Sequence, residues 1–253
     1  MTKIALFGLG YTGRYLIEML SSESVQVEGY SRRTQLNQSH IFNAEKSEEV
    51  HNLKILWQNN APAFAIITFP PEAVHPDFWT LLEETVPYRL LLGTTGSYGG
   101  VGEITESSDV ISDHPRKIAE DRFVKAGGTL LRLSGIYGPG RDPVSWLLKS
   151  KQAAPQKQLN LIHIQDIGKF IGLWLKKPIT GEVFNLSDGQ NHSWGKIAEI
   201  AAARGIEPPS EFWERKFLEN DNRFFNLEKV WKTYPNMDFV AFSESMEYQA
   251  FGD

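Results

Sequence analysis

The chain of 253 residues is long enough for one large α/β domain, or for a core domain with a small appendage. It is 41% hydrophobic and 23% charged, as in ordinary globular proteins, and its net charge of -5 argues against a broad nucleic-acid surface. There are no cysteines, which excludes disulfides and thiolate sites and fits a cytoplasmic location. Without a secretory pattern or a long apolar run, we expect no membrane partner.

Short apolar runs alternate with helical stretches through the first half of the chain. The strand candidates are Ile4–Phe7, Val25–Tyr30, Ala63–Thr68, Arg89–Leu92 and Thr129–Leu133. The helix candidates are Thr12–Leu20, Glu48–Trp57, Asp77–Thr85 and Pro115–Lys125. The apolar runs carry little alternation of period two, as is typical of strands that are covered on both faces. The alternation of elements predicts an α/β fold with a doubly wound parallel sheet.

The second half of the chain, after Gly140, follows a different pattern. Its candidates are the helices Trp146–Ser150, Asp166–Lys176 and Ser193–Arg204, the last with Ser193 as N-cap, and the strand Phe184–Leu186. The tail is aromatic and irregular. We expect it to form a small C-terminal substrate domain over the carboxyl edge of the sheet, where ligands bind in such folds. The predicted division is 1–140 with 161–187 for the sheet domain, and 141–160 with 188–253 for the substrate domain.

Three glycines, Gly8, Gly10 and Gly13, follow the first strand candidate and open the first helix candidate. In a G-x-G-x-x-G turn of the Rossmann type, the first glycine permits a tight turn and the second lets the backbone approach a pyrophosphate. The third lets the helix pack closely on the strand. The helix start adds free N–H groups for the phosphates. The pattern predicts a dinucleotide site, and the alternative is a tight turn without a ligand.

The end of the second strand candidate indicates which dinucleotide the sequence favours. NAD sites place an acidic side chain there to hold the ribose hydroxyls, but this chain has Ser31, Arg32 and Arg33. The nearest acid, Glu28, points to the opposite face of the strand by the period of two. Arginine can hold a phosphate through paired hydrogen bonds. We therefore predict NADP rather than NAD, and the alternative is that the arginines form an exposed turn.

Four collinear segments resemble the extended short-chain dehydrogenase/reductase family, which includes the NAD(P)-dependent epimerases and dehydratases. LLGTTGSYG at 91–99 resembles its S-S-x-x-V-Y-G motif, and LRLSGIYGPGR at 131–141 resembles R-x-x-x-x-Y-G-P-G-R. NLIHIQDIGKFI at 160–171 resembles I-H-V-x-D, and GEVFNLSDG at 181–189 resembles the strand that completes the sheet. The resemblance covers residues 1–190 and implies a Rossmann-type, NAD(P)-binding protein.

The resemblance also implies catalysis by a Ser or Thr, a Tyr acid/base and a Lys that lowers the pKa of the Tyr. Thr94 falls at the Ser/Thr position. Counting back from the Ala119–Glu120 dipeptide puts Ser112 at the tyrosine position and Arg116 at the lysine position. A serine hydroxyl is a far weaker acid than a tyrosine, so the usual mechanism does not carry over unchanged. The chain most resembles an atypical branch of the family that lacks this tyrosine, the YeeZ-like proteins.

Other side chains are candidates for the site, each with an ordinary structural alternative. Tyr98 and Tyr137 could each donate a proton or hydrogen-bond a ligand, and the alternative for both is packing at the strand ends. Arg141 could hold an anionic substrate group, or be a surface arginine after a turn. His163 and Asp166 could form an acid/base couple, although a histidine that caps the following helix is the commoner arrangement.

The predicted cofactor contacts come from the glycine turn and from the ends of three strand candidates. They are Gly8, Gly10, Tyr11, Thr12, Gly13, Ser31, Arg32, Arg33, Thr68, Phe69, Pro70, Gly135 and Ile136. The predicted catalytic residues are Thr94, Ser112, Arg116 and Tyr98, and the predicted substrate contacts are Tyr137 and Arg141.

Other site classes lack their motifs. The six histidines are scattered, so we expect no built-in metal, and no G-K-[ST] phosphate loop is present. Two interpretations remain. One is an NADP-dependent oxidoreductase or epimerase that acts on a sugar-like hydroxyl or carbonyl substrate with a non-standard acid/base. The other is a non-catalytic, dinucleotide-binding redox sensor or partner-binding module. We expect a small-molecule substrate for the first, and a homodimer is compatible with both.

Overall fold

The structure is a computed structural model that describes residues 1–33, 39–217, 222–240 and 242. Its first elements are β1 (Thr2–Phe7), α1 (Tyr11–Leu20), β2 (Val25–Ser31), β3 (Ser39–Ile41), α2 (Ser47–Trp57), β4 (Phe64–Ile67), α3 (Pro76–Thr85) and β5 (Tyr88–Thr94). Then come β6 (Gly102–Ile104), α4 (Lys117–Lys125), β7 (Thr129–Leu133), β8 (Gly135–Tyr137), α5 (Pro143–Lys149), β9 (Gln158–Leu159), β10 (Leu161–His163) and α6 (Ile164–Lys176). The last are β11 (Val183–Leu186), β12 (His192–Ser193), α7 (Trp194–Ala203), β13 (Arg223–Phe225) and α8 (Glu228–Thr233).

Seven strands form the central sheet in the order β11–β7–β5–β4–β1–β2–β3. β1 pairs in parallel with β2 on one side and with β4 on the other. β4 continues in parallel to β5, and β2 to β3. The chain therefore builds outward from β1 in both directions, which is the topology of a doubly wound, Rossmann-like sheet. The predicted fold class is confirmed.

The central strands are covered on both faces, which explains why their sequences do not alternate. All residues of β4 and β7 are buried. On one face of the sheet an aromatic cluster fills the core. The ring of Phe7 stacks on Tyr30 at 4.9 Å between centroids and meets Phe78 edge-on at 4.9 Å. Burial of such rings contributes much of the stability that holds the strand ends in place.

Several elements differ from the sequence prediction, among them β3, α5 and α4. β3 was not predicted, because it is a three-residue edge strand with two exposed residues and has no apolar run. α5 begins at Pro143 and not at Trp146, because the Asp142 carboxylate caps the amide of Val144 at 2.9 Å. α4 begins at Lys117, so the two residues before it lie in a turn.

The chain divides into two compact units. The first comprises Met1–Ser97, Ile111–Arg132 and Gly168–Phe184, and the second comprises Tyr98–Val110, Leu133–Ile167 and Asn185–Asp253. The second unit contains three two-stranded pairs, β8 with β10, β9 with β12 and β6 with β13. The domain boundaries drawn from the sequence stay a prediction. Positions 218–221, 241 and 243–253 of the predicted substrate domain lie outside the described residues.

Candidate functional site

In the turn between β1 and α1, the surrounding chain requires glycine at two of the three glycine positions. Gly8 has a φ of +97°, in the left-handed region that favours glycine, and a Cβ there would lie 2.5 Å from Thr68 Oγ1. A Cβ on Gly13 would collide with the carbonyl oxygen of Gly8. At Gly10, no heavy atom of the described chain lies within 4 Å of where a Cβ would be. The fold alone does not require glycine at 10, whereas a closely approaching phosphate does.

Thr68, directly after β4, holds this turn from the neighbouring strand. Its hydroxyl donates to the Gly8 carbonyl at 2.8 Å and also reaches the Phe7 carbonyl at 3.2 Å. The amide of Gly8 donates to the Tyr30 carbonyl at 2.8 Å, which ties the turn to β2 as well. The sequence predicted cofactor contacts at Thr68, Phe69 and Pro70. It did not predict the role of the Thr68 hydroxyl, because the bond joins residues 60 positions apart.

The start of α1 is open to an anion. Gly10 is the N-cap residue, no side chain in the described part of the chain caps it, and the first turn contains no acidic residue. Backbone N–H groups at a helix start lack intrahelical acceptors and carry the positive end of the helix dipole. Together with the open face of Gly10, these groups suit a pyrophosphate. The residues present fit a dinucleotide.

The carboxyl end of β2 presents two exposed guanidiniums. Arg32 pairs with Glu45 at 3.4 Å, but the side chains are 72% and 50% exposed, so this pair holds the guanidinium only weakly. The amide of Arg33 lies 3.4 Å from the Ser31 hydroxyl. Glu28 is engaged elsewhere, because its carboxylate accepts a hydrogen bond from the Tyr30 hydroxyl at 3.1 Å. The carboxylate of Glu28 is thus occupied within β2, and the strand ends in a serine and two arginines.

Thr94, the predicted Ser/Thr of the site, is the last residue of β5. Its hydroxyl oxygen accepts from the amide of Gly96 at 3.1 Å, and its carbonyl accepts from the Ser97 hydroxyl at 2.8 Å. These bonds fix the single 3-10 turn, Thr95–Ser97, that follows the strand. Thr94 is therefore held at the carboxyl edge of a central strand, where ligands bind in this fold.

Ser112 and Arg116 occupy a turn that precedes α4. Ser112 is exposed, and Arg116 is the N-cap residue of the helix. The Arg116 Nε donates to Glu72 Oε1 at 3.4 Å, and both side chains are about one-third exposed or less, at 26% and 35%. Glu72 belongs to the 3-10 turn Pro71–Ala73 after β4. The position that the resemblance assigns to a lysine thus carries a guanidinium paired with a carboxylate.

Glu120, in the first turn of α4, anchors that helix to the sheet. Its carboxylate lies 3.2 Å from the Arg132 guanidinium of β7, and both side chains are almost fully buried. Burial raises the pKa of Glu120, and the positive charge of Arg132 opposes this effect. A Cβ on Gly93 would lie 2.9 Å from Glu120 Oε1, so the carboxylate packs directly against β5. The Ala119–Glu120 dipeptide locates the motif positions in the sequence, but no sequence pattern predicts the ion pair of Glu120 with Arg132.

Tyr98 and Tyr137 are both buried within the second compact unit. The Tyr98 hydroxyl donates to Asn185 Oδ1 at 2.7 Å. The Tyr137 ring packs against His163 and Phe242, with centroid distances of 5.0 and 5.4 Å. These contacts support the packing alternative for both tyrosines.

The predicted residues near Tyr137 lie on β8 and just after it. Gly135 and Ile136 belong to β8, which pairs in parallel with β10. Arg141 is exposed, with its guanidinium 5.7 Å from the centre of the Trp146 ring.

The histidine–aspartate pairing differs from the one considered from the sequence. His163 Nδ1 accepts from the amide of Gln165 at 3.4 Å, which supports the helix-capping alternative, and burial lowers the pKa of His163. The carboxylate of Asp166 accepts from the amide of Val240 at 3.0 Å. A different pair, His192 and Asp188, is buried with Nε2 and Oδ2 2.6 Å apart. No local pattern predicts this pair, because the two residues lie four positions apart in a segment without a helical pattern.

Across residues 1–33, 39–217, 222–240 and 242, no group of three His, Cys, Asp or Glu side chains is arranged to hold a metal ion. In the same residues, no helix has the length and apolar character needed to cross a bilayer.

The sheet topology and the glycine turn define a Rossmann-like α/β protein, and solved structures share this fold. No family model matches the chain. Protein YeeZ from Escherichia coli strain K12 is 26% identical over 240 residues, which cover 83% of this chain and 86% of YeeZ.

Two solved structures share the fold at low sequence identity. MoeE5, in complex with UDP-glucose and NAD, has a TM-score of 0.76 and 14% identity and covers 98% of this chain and 97% of its own. The dTDP-glucose 4,6-dehydratase from Bacillus anthracis, in complex with NAD, has a TM-score of 0.77 and 14% identity. The match covers 98% of this chain and 95% of the dehydratase. These likenesses show a shared Rossmann-like fold, and the chain is similar to YeeZ over most of its length.

Proposed function

We propose that this protein binds a nicotinamide dinucleotide at the glycine turn. The observation that carries the proposal is the open face of Gly10 beside the uncapped start of α1. These features leave room and hydrogen-bond donors for a pyrophosphate. MoeE5 and the dehydratase, which share the fold, are in complex with NAD.

We further propose that NADP is preferred over NAD. The end of β2 offers the hydroxyl of Ser31 and the exposed guanidiniums of Arg32 and Arg33, while Glu28 is bonded to Tyr30. A ribose 2′-phosphate suits guanidiniums, whereas a free 2′-hydroxyl suits a carboxylate. The loop from Thr68 to Pro70 completes the cofactor contacts that we propose in the first compact unit, and the contacts at Gly135 and Ile136 stay a prediction from the sequence.

The activity that the proposal favours is that of an oxidoreductase or epimerase on a sugar-like hydroxyl or carbonyl substrate. A bound nicotinamide supplies hydride transfer. The Thr94 hydroxyl, fixed at the end of β5, would hold the substrate oxygen. Arg116 would bind the nicotinamide ribose or the substrate oxygen, because a guanidinium donates hydrogen bonds but does not release its proton at ordinary pH. The transferred proton would come from another group or from water.

A second candidate function is binding without catalysis, as a redox sensor or partner-binding module. It is favoured by the exposed position of Ser112 outside α4 and by the burial of the Tyr98 hydroxyl against Asn185. On this proposal the chain keeps the parts that hold a dinucleotide and lacks an acid/base beside it.

Dissociation constants for NADPH and NADH test the proposed cofactor. We expect NADPH to bind about tenfold tighter, and R32A/R33A to remove the difference by weakening NADPH alone. R122A is the matched control, because Arg122 is a partly exposed arginine of α4 paired with Glu83. Equal affinities in the wild type, or tighter NADH, would contradict the NADP proposal. Absence of binding for both would contradict the dinucleotide site itself.

Turnover separates the two candidate functions. The NADP⁺-loaded protein is mixed with a panel of nucleotide sugars, whose hydroxyl groups need an oxidised cofactor as hydride acceptor. NADP⁺ reduction and sugar products are followed by absorbance and NMR. The catalytic proposal expects product with the wild type and T94S, and a loss of about a hundredfold with T94A. A crystal structure with NADPH in which side chains fill the space beside the nicotinamide would overturn catalysis in favour of binding alone.

A further inference from the structure

The loop after β4 contacts two predicted parts of the cofactor site at its two ends. At one end, the Thr68 hydroxyl donates to the Gly8 carbonyl of the glycine turn. At the other end, Glu72 pairs with Arg116 at the start of α4. Between them, Pro70 and Pro71 restrict the backbone, and Pro71 is buried. A short, stiff segment therefore links the glycine turn to the arginine that replaces the expected lysine.

The Arg116 guanidinium is held through its Nε atom. Its Nε donates to Glu72 Oε1 at 3.4 Å, and among the described residues its two Nη amino groups have no hydrogen-bond partner. The backbone fixes the base of the side chain, because the amide meets His114 Nδ1 at 3.3 Å and the carbonyl accepts from Glu120 at 2.9 Å. A guanidinium bound through Nε keeps the planar pair of Nη groups free to donate elsewhere.

Glu120 does not fill the same role. Its carboxylate is buried against Gly93 and paired with Arg132, so its charge is already opposed. Glu72 is the acid that contacts Arg116 directly, and it is only partly exposed at 35%. Solvent screens a partly buried ionic hydrogen bond less than a fully exposed hydrogen bond. The partly buried bond therefore restricts the arginine side chain more.

We propose that Glu72 is a positioning residue that orients Arg116, so that the Nη groups are presented to the nicotinamide half of a bound dinucleotide. The inference rests on the proposed function and adds a residue to it. The expected ligand atoms are the ribose hydroxyls of that half, which accept hydrogen bonds from a guanidinium. The same loop fixes the Gly8 turn through Thr68. One segment would therefore position both the pyrophosphate contacts and Arg116.

The test compares a whole dinucleotide with its adenine half. Dissociation constants are measured for NADPH and for adenosine 2′,5′-bisphosphate, or for NADH and AMP if the wild type prefers NADH. We expect E72Q to weaken the dinucleotide about three- to tenfold and to leave the adenine fragment unchanged. The direction is diagnostic, because removing a negative charge near a polyanionic ligand would by itself tighten binding. R116Q should show the same pattern, and E72Q/R116Q should be no weaker than R116Q.

E83Q is the matched control. Glu83 also pairs with an arginine of α4, with Oε1 3.7 Å from Arg122 Nη2 and an exposure of 35%. We expect E83Q to change neither affinity. If E72Q leaves dinucleotide binding unchanged, tightens it or weakens both probes equally, Glu72 does not position Arg116. If the wild type binds neither dinucleotide, the proposed function falls and this inference falls with it, so the two failures are distinct.

Discussion

The glycine turn at 8–14 and the turn at 112–116 both open a helix of the first compact unit, yet they are built differently. The first is fixed by main-chain bonds and by glycine conformations, with Thr68 and Tyr30 holding Gly8 from both sides. The second carries an exposed Ser112 and one side-chain pair, Arg116 with Glu72. Backbone geometry holds a phosphate whatever side chains surround it, whereas proton transfer needs a particular side chain. Binding and chemistry can therefore separate within one fold.

The largest effect is expected where the chain itself demands a glycine. G13A places a methyl group against the Gly8 carbonyl, and we expect it to lower the free energy of unfolding by about 2–3 kcal/mol and to abolish dinucleotide binding. Urea denaturation and NADPH titration measure both. G172A is the control, because a Cβ at Gly172 of α6 meets no described atom within 4 Å. It should be neutral or stabilising. Equal stability of G13A and wild type would show that the turn is not fixed as described.

G10A sharpens the comparison, because it should separate binding from stability. No described atom lies within 4 Å of the added methyl group, so the free energy of unfolding should stay within about 0.5 kcal/mol of wild type. The methyl group would occupy the path of the pyrophosphate, and we expect dinucleotide affinity to fall about tenfold or more. Unchanged affinity in G10A would remove the main support for the phosphate site.

An effect confined to one pH range is expected at Glu120, which anchors the helix after the second turn. Burial raises its pKa, so the folded protein holds this proton more tightly than the unfolded chain does. The wild type should lose stability as the pH rises from the ordinary carboxyl range through the raised pKa, and E120Q should lack this slope. Denaturation between pH about 4 and about 8 checks this. D121N removes a partly exposed carboxylate of the same helix, one that is paired with Lys117, and should keep the slope.

The smallest effect is expected at Ser112. Its exposed side chain in the turn before α4 makes S112A neutral, with stability within about 0.5 kcal/mol of wild type and unchanged dinucleotide affinity. Denaturation and NADPH titration measure these quantities. If a substrate is found and S112A abolishes its turnover while T94S retains it, the turn at 112–116 carries chemistry and the contrast with the glycine turn disappears.

The fold was predictable because its signals are local. The apolar runs of β1, β4 and β7 are long enough to recognise, and Ser193 caps α7 as its position predicted, accepting from Lys196 at 3.1 Å. β3 was missed because an edge strand of three residues has no core-facing pattern. The predicted start of α4 at Pro115 lies two residues before the observed start at Lys117. A proline is tolerated in a first helical turn, so its presence does not say which residue begins the helix.

Local spacing predicts the shape of the glycine turn but not the long-range pairs around it. A tight turn at Gly8 and close helix packing at Gly13 follow from the spacing, and the structure has a positive φ at Gly8 and the Gly8 carbonyl against Gly13. The contact of these residues with a cofactor stays a prediction. The bond from Tyr98 to Asn185 spans 87 positions, and the pair of Arg116 with Glu72 spans 44. No local pattern records such pairs, because they exist only after the sheet has brought its strand ends together. The preference for NADP and the roles of Thr94 and Arg116 stay predictions.

The contact between Gly93 and Glu120 limits how this sequence can drift. A Cβ at position 93 would come within 2.9 Å of both Glu120 Oε1 and Leu130 Cδ1. A side chain at 93 therefore requires both Glu120 and Leu130 to move, and a shift of Glu120 disturbs its buried pair with Arg132. We therefore expect positions 93, 120 and 132 to covary in an alignment of relatives.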